Sequence, residues 1–213
     1  MNKTASIILI VCLMFAHIII ALIYNNNQII STETEELLSQ VYSNHYSENL
    51  MDFSNDTLPT LIFSIPMRLY ENICSPFISV TILHLISFIL LFSGLKTLLH
   101  KNTMMWFSAI YLLSPWLLYN SNLEYISCLE LGTACFILSI IKLNYYNQID
   151  NSSSNQELWM FWLIVSIAWC MQFHFSFIIL LITTIILVIK KLLKLSFGEL
   201  VGALLLLQCL FYQ

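Results

Sequence analysis

Six side chains in this sequence stand out as candidates for acid–base chemistry and phosphate binding. They are Glu33, Glu35 and Glu36 in STETEELLSQVYSNHY, Arg68 in LPTLIFSIPMRLYENICSP, and Gln172 and His174 in QFHFS. A carboxylate can take the proton of an attacking hydroxyl. A guanidinium grips phosphate through a planar fork of donors, and an imidazole titrates near neutrality. Each residue also has a plainer reading. Ser31 or Thr32 can cap a helix whose first turn holds the three glutamates, where negative charge is favourable against the helix dipole. Arg68 precedes Glu71 by one helical turn and can pair with it. His174 at a turn can be satisfied locally.

The elements that must position these groups are apolar. Of the 213 residues 59% are hydrophobic and 9% charged, with a mean hydropathy of +0.81. A soluble domain carries about a quarter charged residues, so the class is an all-α, polytopic membrane bundle. The apolar runs are continuous rather than alternating, which excludes a transmembrane barrel. The first run spans 5–23, too long for a signal-peptide core and followed by no A-x-A site, so it is expected to stay as a span. A long polar stretch, 24–75, follows. Further runs cover 76–95, 103–119, 126–141, 158–170, 173–189 and 195–212, giving about seven spans in a single membrane domain. Glycine is scarce, so close small-residue helix pairs are not the expected packing mode.

Charge orients the chain. The 24–75 stretch holds Glu33, Glu35, Glu36, Glu48, Asp52, Asp56 and Glu71 against Arg68 alone, seven acids less one base or −6, against −4 for the whole protein. With a cytoplasmic N-terminus, Lys3, Lys96, Lys101, Lys142, Lys190, Lys191 and Lys194 all fall inside, and Arg68 alone of the eight bases falls outside. That is the positive-inside pattern. It puts the acidic loop, Arg68, Gln172 and His174 at the outer face. Leu37, Leu38, Val41 and Tyr42 recur at helical spacing, which predicts an amphipathic helix on the membrane surface. The Pro-bearing 58–76 segment reads as a second interfacial helix.

Several function classes drop out. There is no phosphate-binding loop, dinucleotide fingerprint, H-E-x-x-H or nucleophile elbow, and no basic patch for nucleic acid. The six cysteines form no C-x-x-C pair, so they read as small packing residues and no metal site is expected. His17, inside the first span, reads as a bundle-facing hydrogen-bonding group. Glu130, just inside the 126–141 run, is expected to face the bundle interior.

Taken together, the layout resembles the N-terminal part of a type C membrane glycosyltransferase, the group that includes protein mannosyltransferases and the aminoarabinose transferase of lipid A. The segment LPTLIFSIPMRLYENICSP before the second span resembles a Pro-bearing segment of that family. Ser114, Pro115, Trp116, Tyr119 and Ser121 resemble its S-P-W-x-x-x-Y-S stretch, and Gln172 with His174 resembles a Q-x-H near a later outer turn. The family's loop acid is usually Asp, where this chain offers Glu33, Glu35 and Glu36, and an Arg that often follows the Tyr-Ser is Asn122 here. Family members run to several hundred residues, so this chain is expected to be a shortened relative, a truncated product or a fragment. The resemblance implies a polyprenyl-phosphate sugar donor and a lipid or glycan acceptor. It further implies a catalytic base among the three glutamates, donor-phosphate contacts from Arg68, Gln172 and His174, no cofactor, and a bacterial inner-membrane location. The alternatives are a non-catalytic membrane subunit or remnant, and a lipid-linked glycan flippase or transporter.

Overall fold

The computed structural model describes residues 3–25, 38–39, 58–69, 75–114, 126–149, 153–173 and 175–190. Among them the fold is wholly helical, with seven helices: α1 Lys3–Asn25, α2 Leu58–Leu69, α3 Ser75–Leu95, α4 Lys101–Leu112, α5 Ile126–Ile149, α6 Ser153–Phe173 and α7 Phe177–Ile189. Three of them carry segments long and apolar enough to cross a membrane: Ser6–Ile23, Ser75–Leu95 and Ile126–Tyr146. The hydrocarbon core is about 30 Å thick and needs about 20 residues of helix. Phe177–Ile189 is a shorter apolar helix. In α1 and α7 large apolar side chains face outward, with Phe15 62% and Ile179 66% exposed. Such surfaces are costly in water and suited to lipid, and they fit an integral membrane protein.

The helices gather into two compact units, Met1–Phe88 with Leu99–Cys128, and Ile89–Leu98 with Leu129–Gln213. In the first unit α1 packs along α4. Phe88, Phe107 and Tyr111 form a ring cluster with centroids 5.6–6.3 Å apart, and Val80 and Leu112 of the same unit are buried. In the second unit Phe136, Leu143, Leu163 and Ile167 make a buried core, with Leu180, Leu187 and Val188 of α7 packed on it.

Buried hydroxyls are handled within the helices. Ser87, Ser108, Ser139 and Thr184 are all fully buried. Each donates to the carbonyl one turn back, Leu83, Met104, Cys135 and Leu180 respectively, at 2.8–2.9 Å. This back-bonding satisfies a polar group without a partner from another helix.

Two expectations need correction in detail. The 103–119 run contains a helix of 12 residues, Lys101–Leu112, about 18 Å long at ~1.5 Å per residue. The Leu113 amide still reaches Ala109 O, and Ser114 N reaches Tyr111 O at 3.4 Å. Pro115 comes next, and the residue before a proline is pushed out of helical geometry. The 173–189 run is likewise broken by a turn at Phe175–Ser176, and the helix starts at Phe177. The 195–212 run lies outside the described residues.

Candidate functional site

Glu33, Glu35, Glu36 and His174 lie outside the described residues, as does most of the expected first surface helix. Leu38 and Ser39 from that helix are described; both are helical, and Leu38 is buried. Arg68 falls on the last turn of α2, in the first unit. Gln172 falls on the last turn of α6 and is half-buried, in the second unit. Of the expected phosphate-binding residues, Arg68 and Gln172 are therefore placed on their helices, and no described constellation joins them. Among the described residues no group of three His, Cys, Asp or Glu side chains is disposed to hold a metal ion.

The helix that carries Arg68 is built in an informative way. Pro66 lies inside α2 and has no N–H, so the carbonyl of Ile62, one turn earlier, loses its intrahelical donor. The Ser79 hydroxyl of α3 donates to that carbonyl at 2.9 Å. Ser79 and Pro66 are buried, as are Phe63 and Ser64 beside them. A hydrogen bond between helices thus replaces the one that proline removed. Ile65 and Leu69 remain exposed, Leu69 at 84%. Between the two helices is an apolar cleft of about 340 Å³, lined by Ile65, Pro66, Leu69, Ile78 and Ile82 among others. The expected helix in the 58–76 segment is therefore present over Leu58–Leu69, anchored on α3.

His17 behaves as the sequence suggests. Its ring is 1% exposed, and Nδ1 lies 2.8 Å from Leu112 O. A carbonyl only accepts, so Nδ1 carries the proton. Leu112 ends α4, where the last carbonyls have no intrahelical donor. His17 of α1 supplies one. Its ring meets His84 of α3 edge-on, with centroids 6.1 Å apart. Sequence reasoning missed His84, because a lone histidine within an apolar run gives no sign of which helix it will face.

In the second unit α5 and α6 form an antiparallel hairpin. Partners descend one helix as they ascend the other. Cys170 Sγ lies 3.9 Å from Leu129 O, Cys135 Sγ 4.0 Å from Trp162 O, and Lys142 Nζ 6.0 Å from the Trp159 ring centre. A Cβ at Gly132 would run into Cys170 Sγ and sit 2.8 Å from Trp169 Cδ1. This is one close glycine contact, made to a cysteine and a tryptophan rather than to a matching stripe of small residues. Cys128 and Cys170 are buried thiols outside any disulfide, in keeping with a packing role. Glu130 on α5 is half-buried, and its carbonyl accepts from the Thr133 hydroxyl at 2.9 Å. Compared with family models, curated proteins and solved structures, the chain matches none.

Proposed function

We propose that this chain is a type C glycosyltransferase-like membrane protein that moves a sugar from a polyprenyl-phosphate donor to a lipid or glycan acceptor at the outer membrane face. The observation that carries the reading is the order of elements: an apolar helix, a long acidic stretch, then a proline-bearing helix anchored on the next apolar helix. The reading includes about seven spans, a cytoplasmic N-terminus and the acidic loop outside. One carboxylate among Glu33, Glu35 and Glu36 takes the acceptor's proton as its oxygen attacks the sugar's anomeric carbon. The bond to the donor phosphate breaks, and Arg68, Gln172 and His174 steady the departing phosphate.

The test replaces Glu33, Glu35 and Glu36 by Gln one at a time, in a cell whose surface glycans are profiled. Loss of a general base costs about 10²–10⁴-fold in rate, so one replacement should abolish a glycan that the others leave intact. A glycan made by the wild-type chain and left unchanged by all three replacements would sink the assignment of the base.

A further inference from the structure

Outside the proposed transfer site, the second unit carries a groove of about 430 Å³ with an almost wholly apolar lining. That volume falls in the range of small-molecule sites, about 300–1,000 Å³. On α5 the lining residues Leu131, Cys135 and Leu138 recur at helical spacing, and Lys142 continues the same stripe one turn beyond Leu138. On α6 the groove is lined by Trp159, Trp162 and Trp169. Trp159 is the end at which the Lys142 ammonium sits, 6.0 Å from the ring centre. The site thus has an apolar body with the Lys142 cation at one end.

Its length selects the occupant. From Trp159 to Trp169 the groove follows about 15 Å of helix axis at ~1.5 Å per residue. That is half of the roughly 30 Å hydrocarbon core, one leaflet's depth. Lys142 lies near the end of the membrane-crossing window Ile126–Tyr146, where a lysine extends its stem along apolar surface and keeps its ammonium at the headgroup level. We propose that the groove holds one acyl chain of an anionic glycerophospholipid from the leaflet Lys142 faces, its headgroup phosphate paired with Lys142. Charge complementarity favours the anionic lipid over a zwitterionic one, whose own cationic group would face the ammonium.

The test uses the full chain with Trp106→Phe and Trp116→Phe, which leaves the three groove tryptophans as reporters. It is reconstituted in phosphatidylcholine nanodiscs containing chain-brominated phosphatidylglycerol or chain-brominated phosphatidylcholine, and tryptophan quenching is followed against mole fraction. Brominated phosphatidylglycerol should reach half-maximal quenching at about fivefold lower mole fraction, the preference one lysine near a membrane surface confers. Lys142→Gln should make the two lipids equal. Val165→Phe, which fills the groove and leaves the lysine, should also remove the preference. Equal quenching in the parent chain, or a preference that survives Lys142→Gln, overturns the proposal. A preference that survives Val165→Phe overturns it too, because surface charge alone then explains the result.

Discussion

At the scale of single residues, the most instructive interaction joins Pro66, Ile62 and Ser79. Proline in a helix interior usually costs about 3 kcal/mol or more through the lost hydrogen bond and ring clash. Here the freed carbonyl is met from another helix. Ser79→Ala should therefore destabilise the protein by about 1–3 kcal/mol, the cost of a buried acceptor left bare. Pro66→Ala restores an N–H to α2, so Ser79→Ala should cost much less in that background. The measurement is a double-mutant cycle on detergent unfolding, and additive costs would show that the serine does not serve the proline's vacancy. Arg68, two residues on, was legible as a candidate from its type and its isolation among acids. The Ser79 partnership was not, because sequence spacing does not say which carbonyl of one helix another helix will reach.

The helices themselves were largely legible from apolar runs, though their ends were not. The 126–141 run became Ile126–Ile149 and the 158–170 run became Ser153–Phe173. Apolar content reports where lipid contact stops, whereas a helix continues through Lys142, Asn144 and Tyr145 while its backbone bonds are made. The turn expected within Gln172–Ser176 is present, but the helix after it starts at Phe177 rather than Phe173, because Phe173, Phe175 and Phe177 keep the stretch apolar through the turn. Pairing between helices was the least legible feature. Gly132→Ala should destabilise the α5–α6 hairpin by about 1–3 kcal/mol through overpacking. Cys170→Ala removes the sulfur the new methyl would strike, and should recover part of that loss in thermal unfolding. Failure of the second change to help would place the close approach elsewhere.

For the whole molecule, lysine placement predicts the membrane topology. With Lys3, Lys96, Lys101, Lys142 and the Lys190–Lys194 group on one side, single cysteines placed in a cysteine-free chain should divide cleanly. Asn49→Cys should react in intact cells with a membrane-impermeant thiol reagent, whereas Asn147→Cys should react only after the membrane is opened. The reverse pattern would invert the protein and move Glu33, Glu35 and Glu36 away from an outer acceptor. The candidate site was proposed from residue types and from the side of the membrane that the lysines predict. Its assembly was not legible, because bringing together groups over a hundred residues apart, such as Glu33 and His174, would take helix packing that composition does not encode.

The bond from Ser79 to Ile62 also bears on how the chain is made. During synthesis α2 leaves the ribosome before α3, so for a time its Ile62 carbonyl has no Ser79 to meet. In lipid an unmet backbone group costs several kcal/mol, while at a wet site water can serve it. Entry of α2 into lipid is therefore less costly once the residues of α3 are there to meet it, which favours the two settling as a pair.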